Sequence, residues 1–448
     1  MNIAPYPNYK KTGVEWLGDI PADWTVKRLK WSVDGCFNGI WGDEPDGIDD
    51  VVCLRVADFN RDNYTVSTES LTLRAIESKQ LKSRRLQRGD LLIEKSGGGE
   101  KQLVGCVVYF DHDFDAVCSN FVARMQVALA HSPRYWAYVH AGLYAGKLNY
   151  PAIKQTTGIQ NLDAALYLDT LAAYPPLAEQ EKIAAFLDWK TSQIDALIAK
   201  KQELLEKLKD KRLSVITQAV TKGLNPDAPM RDCGITWLGK VPKHWDVKPV
   251  KYLTKILRGQ FSHRPRNDPA FYDGEYPFVQ TGDIARAGKY VTSYSQTLNE
   301  RGLSVSRQFP SGTLVMTIAA NIGDMAIIEF PACFPDSIVG FIPEANVDLD
   351  FLYFMFIAMK QRLMMTAVLN TQLNLNIDRI ASIVTVAPPI SEQNKIVELL
   401  DKKNARSDRL MDKTKIAIAQ LTEYRSALIT AATTGKIDVR NVAIPALN

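Results

Sequence analysis

Two stretches of the chain carry apolar residues at alternating three- and four-residue steps, the spacing of a helix that packs along one face. Each stretch follows a Pro-Pro pair, which disfavours helix before it. The pattern predicts one long helix over residues 175–222 and another over residues 388–436, with a C-terminal tail at 437–448. The positions expected to pack against another helix are Leu187, Ile194, Leu197, Leu204, Leu208 and Val215 in the first helix, and Ile396, Leu400, Leu410, Leu421 and Leu428 in the second.

The segments before the two helices have a different pattern, in which short apolar runs alternate with turn residues. Residues 1–174 and 235–387 are therefore predicted to form mixed α/β domains. Residues 223–234 contain Asn225-Pro226 and Ala228-Pro229, which predicts a linker. Strands are predicted at residues 51–56, 91–94, 104–110, 313–318 and 325–330, and helices at 134–145 and 349–363.

The sequence contains an internal repeat. The segment from Trp16 to Trp24 (WLGDIPADW) returns at Trp237 as WLGKVPKHW, and the segment from Pro175 (PPLAEQ) returns at Pro388 as PPISEQ. Between these anchors the similarity thins, although residues 54–58 still resemble 279–283. A repeat with constant anchors and a divergent interior suggests that the anchors share one task while the interiors recognise different things. A duplication kept for folding alone is the alternative.

The long helices need a partner for their apolar stripes. The simplest partner for each long helix is the other long helix, its counterpart in the repeat. If a pseudo-twofold axis relates the two halves, the helices run antiparallel and form a coiled coil. The alternative is that each helix packs on its own globular segment.

Charge and composition narrow the function. Lys and Arg total 54 against 50 Asp and Glu, a net charge of +4, which excludes a polycation and leaves local basic surfaces. The longest apolar run, residues 351–359, is too short to cross a bilayer, and the first residues do not resemble a secretory signal. The six cysteines form no CxxC pair, so we expect reduced thiols, no metal site and a cytoplasmic protein.

Several polar loops have the chemistry of DNA contacts, although a solvated turn is the alternative for each. Lysines and arginines neutralise phosphates, glycines permit close backbone approach, and Gln, Asn and Arg read base edges. The candidates are Lys95, Ser96, Gly97, Gly98, Lys101, Gln155, Thr156, Thr157, Gln160, Arg258, Gln260, His263, Arg264, Arg266, Asn321, Asn370, Thr371 and Gln372.

Catalytic motifs are absent from the sequence. It has no Walker motif for a translocase and no N-P-P-Y-type motif for a methyltransferase. A nuclease pattern fails because Pro335-Asp336 is not followed by the required lysine. We therefore predict no catalytic residues and a non-enzymatic chain.

The repeated Trp-Leu-Gly-x-(Ile/Val)-Pro-x-x-Trp openings and Pro-Pro-x-x-Glu-Gln helix starts resemble the specificity subunits of type I restriction–modification systems, over essentially the whole chain. The resemblance implies two target recognition domains, each reading one half of an asymmetric bipartite site in double-stranded DNA. It also implies that the helices form an antiparallel coiled coil that sets the spacer between the half-sites. One departure from matching repeats is that Gly158 corresponds to Thr371.

The resemblance also implies partners. Two methyltransferase (M) subunits with S-adenosylmethionine and two restriction/translocase (R) subunits with ATP and Mg²⁺ dock on the specificity subunit, which binds no cofactor itself. Two alternatives stay open from the sequence: a self-sufficient DNA-modifying enzyme, or a coiled-coil adaptor without DNA readout.

Overall fold

The computed structural model describes residues 3–48, 50–98, 102–156, 158–319, 322–365, 368–369, 373–374 and 376–445. The chain divides into two compact units. Unit 1 consists of Met1–Gln202 together with Lys415–Asn448, and unit 2 is Glu203–Thr414. The division therefore falls within the two long helices, not at their ends.

Unit 1 is built from short strands and helices, and its α4 continues into unit 2. Its strands are β1 (Tyr9–Lys11), β2 (Asp19–Pro21), β3 (Thr25–Arg28), β4 (Val33–Asn38), β5 (Asp50–Leu54), β6 (Phe59–Asn60), β7 (Thr65–Val66), β8 (Thr72–Ala75), β9 (Leu91–Glu94), β10 (Ser96–Gly97), β11 (Val107–Tyr109), β12 (Ala116–Cys118), β13 (Val122–Val127), β14 (Ile153–Thr156), β15 (Ile159–Leu162) and β16 (Leu171–Tyr174). Its helices are α1 (Ser78–Arg84), α2 (Pro133–Ala145), α3 (Ala164–Leu168) and α4 (Leu177–Lys222).

Unit 2 follows the same plan, and its last helix continues into unit 1. Its strands are β17 (Met230–Asp232), β18 (Lys240–Pro242), β19 (Asp246–Pro249), β20 (Thr254–Arg258), β21 (Tyr272–Phe278), β22 (Tyr290–Val291), β23 (Gln296–Leu298), β24 (Gln308–Phe309), β25 (Thr313–Thr317), β26 (Met325–Ile328), β27 (Ala332–Cys333), β28 (Ile338–Pro343), β29 (Val368–Leu369), β30 (Leu373–Asn374) and β31 (Val384–Ala387). Its helices are α5 (Thr281–Arg286), α6 (Glu300–Ser304), α7 (Leu349–Met365), α8 (Ile377–Ser382) and α9 (Ile390–Thr433).

The main sheets of the two units share one topology. The order is β4-β13-β9-β11-β7 in unit 1, where β6 extends the sheet, and β20-β28-β25-β26-β22 in unit 2. In both sheets only the last of these pairs is parallel. A second sheet repeats as β12-β5-β8 and as β27-β21-β23. Each unit is therefore mixed α/β, as the sequence predicts, and the internal repeat extends to strand order.

The predicted strands lie close to the observed ones, and one start differs for a local reason. The predicted strand at residues 104–110 is observed as β11 over Val107–Tyr109, and its start is later than predicted. Gly105 has a left-handed backbone (φ +98°), and a Cβ there would meet the Asn149 amide at 2.8 Å. The chain therefore bends at Gly105 before it enters the sheet.

The core of unit 1 joins three kinds of element. Residues of the main sheet, of α2 and of the first part of α4 form one buried cluster, and the last turns of α9 complete it. The corresponding cluster of unit 2 contains α7, the last part of α4 and the first part of α9. The first part of each long helix thus packs on the globular part that precedes it, which the sequence left as an alternative for the whole helix, and its last part belongs to the other core.

The predicted packing positions on the long helices are not all buried. Leu187, Ile194, Ile396, Leu400 and Leu428 are buried, and Leu208, Val215 and Leu421 are half-buried. Leu197, Leu204 and Leu410 instead leave 40–44% of their surface exposed. An α-helix has 3.6 residues per turn, so a stripe assigned at 3.5-residue spacing drifts around the helix, and Thr191 and Ile198 take the inner positions.

The predicted C-terminal tail packs onto unit 1 over its described part. Val439 is fully buried, and Ile437, Val442 and Ile444 pack against the same core. All six cysteines are free thiols. Among the described residues, no helix is both long and apolar enough to cross a membrane.

Candidate nucleic-acid interface

The repeated anchors make the same contacts in each unit. Gln180, in the first turn of α4, is 1% exposed, accepts a hydrogen bond from the Ser132 amide (3.0 Å) and donates to the Pro175 carbonyl (2.9 Å). Gln393, in the first turn of α9, is bonded in the same way to Asp348 (2.8 Å) and Pro388 (2.8 Å). A buried amide that bonds on both sides fixes the start of each helix to the turn before α2 or α7.

The opening motifs receive the far ends of the helices. In unit 2, α4 ends at Gly223, which has a left-handed backbone and lies against the Trp245 ring, and Lys222 donates to carbonyls of the opening motif. In unit 1, Gly435 lies against Trp24 in the same way, and Lys436 donates to the opening carbonyls. The constant segments therefore form one recurring frame in each unit.

Two predicted loops of unit 1 meet in one small sheet, ordered β10-β15-β14. Ser96 and Gly97 in β10 pair with Asn161 and Gln160 in β15. Lys95 donates to the Asn38 side chain at the tip of β4, and Ser96 bonds to the Asn161 side chain. Segments about sixty residues apart thus present one polar surface.

Gln160 is not available for reading bases in this structure. Its side chain is 4% exposed and accepts a hydrogen bond from the Val104 amide at 3.1 Å. It faces inward because alternate residues of a strand point to opposite faces, which turns Ile159 outward at 56% exposure. Gln155 and Gly158 are exposed, whereas Thr157 and Lys101, like the Thr156 side chain, lie outside the described residues.

A cleft of about 1030 Å³ opens beside this loop. Gly98 lines it together with Asn60, Arg61 and Glu94. The Glu94 side chain is fully buried and paired with Arg61 at 2.7 Å. Burial raises the pKa of the Glu94 carboxyl, against the opposing effect of Arg61.

The basic loop of unit 2 is arranged around one carboxylate. Arg266 lies 2.6 Å from Asp336 and Arg264 lies 3.7 Å from it, while Arg258 donates to the Asp336 main-chain carbonyl. The Arg264 and Arg266 side chains are about half exposed. Three guanidinium groups around one aspartate, two at its carboxylate and one at its main-chain carbonyl, leave an excess of positive charge, which suits a phosphate backbone.

The remaining candidates of this loop are held in place by local contacts. His263 stacks on Phe271 with ring centroids 3.9 Å apart and lies 3.1 Å from Asp268. Gln260 accepts from Arg307 at 3.4 Å. Asn321, Asn370, Thr371 and Gln372 lie outside the described residues.

Comparison with known proteins gives the same family that the repeated motifs resemble. Residues 242–420 match the family model "Type I restriction modification DNA specificity domain". The putative MjaX specificity subunit of a type I restriction enzyme from Methanocaldococcus jannaschii is 22% identical over 440 residues, 97% of each chain. The MjaIX specificity subunit of the same organism is 28% identical over 124 residues, 27% of this chain and 28% of that one. This chain is similar to the specificity subunits of type I restriction enzymes.

The fold agrees with that relationship. A chain from a solved structure of a type I R-M system, described for its complex assembly and conformational transition, superposes with a TM-score of 0.71. The superposition covers 93% of this chain and 99% of that one at 14% identity. The family match begins at Pro242, inside the second opening motif, so it includes the divergent part of unit 2 and most of α9.

Sequence reasoning missed several polar residues of the two candidate surfaces. Asn38 and Asp336 organise the two candidate surfaces, and neither stands in a motif. Arg55 and Gln280 lie in the corresponding segments 54–58 and 279–283 and are not among the predicted DNA contacts. The DNA-contact assignments stay predictions.

Proposed function

We propose that the chain is the DNA sequence-recognition subunit of a type I restriction–modification complex, with each unit reading one half of an asymmetric, bipartite duplex site. The supporting observation is that the two units share one frame of constant segments but carry different residues at the tip of the first strand of the main sheet. At the tip of the first strand of each main sheet, Gly39 and Gly259 lie where a Cβ would be about 2.2 Å from carbonyl oxygens. The residues before them differ: Asn38 in unit 1 and Arg258 in unit 2.

A shared frame with unlike polar ends suits two readers of unlike half-sites. One small domain discriminates a few base pairs, each worth about 1–3 kcal/mol. Two domains on one chain add these free energies because the second binding event is intramolecular. An asymmetric site follows because the two surfaces differ in charge and in hydrogen-bonding groups.

We further propose that α4 and α9 pair as an antiparallel coiled coil related by a pseudo-twofold axis. Two ion pairs support this arrangement. Asp195 on α4 bonds to Arg425 on α9 at 2.9 Å within unit 1, and Arg212 on α4 bonds to Asp408 on α9 at 2.6 Å within unit 2. In the repeat Asp195 corresponds to Asp408 and Arg212 to Arg425. In one pair α4 therefore supplies the aspartate and in the other it supplies the arginine, as a twofold axis requires.

Catalysis is assigned to partners in this proposal. Two methyltransferase subunits carrying S-adenosylmethionine and two restriction subunits carrying ATP and Mg²⁺ dock on the repeated frame, in the cytoplasm. Duplicated anchors offer equivalent docking surfaces to identical partners. Purified chain tested alone for S-adenosylmethionine binding and methyl transfer distinguishes this assignment from a self-sufficient enzyme.

An exchange of interiors tests the function. Residues 33–131, which lie between the frame contacts at Ser32 and Ser132, are replaced by the corresponding segment of a relative with another specificity. Methylation mapping in cells carrying the partner subunits is then expected to show one new half-site and one unchanged half-site. The matched exchange of residues 254–347 is expected to change the other half-site. A site that stays the same in both exchanges contradicts modular recognition.

A further inference from the structure

Arg55 and Gln280 occupy the same backbone position in the two units. Their φ and ψ angles are −106° and 166° for Arg55, and −99° and 163° for Gln280. The Arg55 amide donates to the Asp58 carboxylate at 2.7 Å, and the Gln280 amide donates to the Asp283 carboxylate at 2.8 Å. Both aspartates are at least 95% buried. The main chain is thus held identically while the side chain differs.

The two side chains offer different chemistry from this common position. The Arg55 guanidinium is oriented by Asp58 through Nη2 (2.8 Å) and Nε (3.2 Å), and by the Ser70 carbonyl (3.1 Å). In unit 2 the buried carboxylate of Asp283 is neutralised by Arg286 instead, at 2.6 Å. Gln280 therefore extends away from that carboxylate.

Each position adjoins a cleft that also contains a predicted DNA-contact residue. Val56 and Ala57, directly after Arg55, line the unit 1 cleft with Gly98 and with Glu69, the neighbour of Ser70. In unit 2, a cleft of about 530 Å³ is lined by Gln280 and by Arg266 of the basic loop.

Gln280 is held in its cleft by a second amide. Its Nε2 donates to the Gln296 Oε1 at 2.9 Å, and Gln296 lines the same cleft. A glutamine amide fixed by another amide keeps one orientation, and it retains a carbonyl oxygen and a second N–H that can bond to a ligand.

We propose that residues 55 and 280 are equivalent specificity-determining positions, where Arg55 selects a G·C pair in one half-site and Gln280 selects an A·T pair in the other. The Arg55 Nη1, which the contacts to Asp58 and Ser70 leave over, can donate to guanine O6 or N7, and a carboxamide pairs with adenine N6 and N7. The buried aspartates act as positioning residues because they fix the backbone from which each side chain reaches. This inference rests on the proposed function.

Selection from randomised duplex DNA by the full chain with its partner subunits tests the inference. We expect Arg55→Gln to change one base pair in one half-site and to leave the other half-site unchanged. Gln280→Arg is expected to change one base pair in the other half-site. Loss of the bidentate Gln280 contact corresponds to about a 5- to 160-fold loss of discrimination at its pair, and loss of the Arg55 contact to a smaller one.

Conservative and matched variants separate base reading from charge and from folding. Arg55→Lys keeps the charge but loses the planar fork, so we expect lost guanine preference with an unchanged salt dependence of binding. Arg88→Gln is a matched control because Arg88 also bonds to a carboxylate, Asp111, and neither Arg88 nor its neighbours Gln87 and Gly89 line the cleft. Gln361→Arg, on an exposed position of α7, is the control for unit 2.

The outcomes distinguish this inference from the proposed function. If the wild-type complex selects a defined site and folded Arg55→Gln and Gln280→Arg select the same site with equal discrimination, the inference is overturned while DNA recognition stands. If Arg55→Lys keeps the full guanine preference, the guanidinium oriented by Asp58 is not required for reading, which also overturns the inference. A wild-type complex that selects no sequence contradicts the proposed function itself.

Discussion

At the scale of single residues, burial decides which polar groups serve the fold and which are presented to a ligand. Gln160 and Gln180 are both amides in hydrogen-bonding segments, and both turn inward to bond to main-chain groups. Lys95 and Arg266 stay near the surface beside clefts. The amide-rich composition of a loop therefore identifies a region, and the side-chain direction within it selects the readers.

A buried histidine makes the stability of unit 1 depend on pH. His140 in α2 is fully buried, its Nδ1 lies 2.6 Å from the Tyr167 hydroxyl, and burial lowers its pKa to about 3. The folded state keeps His140 neutral while the unfolded state gains a proton below about pH 6.5. Its stabilising contribution is therefore present above pH 6.5 and is lost as the pH falls from there toward 3.

We expect this group to lower the free energy of unfolding by about 2 kcal/mol at pH 5 relative to pH 8. Urea denaturation at both pH values measures it. His140→Asn keeps an amide near Tyr167 and removes the titrating ring, so the difference between the two pH values should shrink by that amount. An equal pH difference in the variant would show that His140 is not responsible.

At the scale of elements, the long helices carry two ion pairs at corresponding repeat positions that differ in burial. The repeat places Asp195–Arg425 and Arg212–Asp408 at corresponding positions, yet the burial of the two arginines differs. The Arg425 side chain is 6% exposed and the Arg212 side chain is 32% exposed. Exposed pairs are screened by water, whereas a buried charge without a partner is strongly unfavourable.

The two ion pairs should therefore contribute unequally to stability. Arg425→Ala is expected to lower the free energy of unfolding by about 2–3 kcal/mol. Arg212→Ala is expected to cost less than about 1 kcal/mol. Chemical denaturation of both variants measures the difference, and Asp195→Ala combined with Arg425→Ala should cost less than the two single changes added together. Equal losses for the two arginines would show that burial does not set their contributions.

At the scale of the whole molecule, each unit is completed by a helix that begins in the other unit. The core of unit 1 includes Leu428, Ile429, Ala432 and Val439, which come from the last part of the chain. The chain up to residue 222 therefore lacks part of its own core. At the corresponding places it carries Val215, Ile216 and Ala219, which match the missing residues in size and polarity.

A fragment of residues 1–222 is thus expected to associate with a second copy, because the end of one copy's α4 can fill the gap in the other. Sedimentation should show a dimer, and added peptide of residues 415–448 should convert it to a monomer with bound peptide. Introducing Asp at Ile216 removes the substitute core contact and should weaken the dimer. A stable monomeric fragment without peptide would contradict the shared core.

The features that depend on local pattern follow from the amino-acid sequence. Helical periodicity, Pro-Pro starts and repeated motifs predicted α4, α9 and mixed α/β segments, because these signals lie within a few residues of one another. Tertiary structure alone decided which side chains meet. Lys95 bonds to Asn38, and Gln160 points inward to bond to Val104. Asp336 contacts three arginines. Each of these contacts joins segments that are distant in the sequence. It also decided that Leu197, Leu204 and Leu410 are exposed, since helical pitch and the shape of the neighbouring core set burial along a stripe.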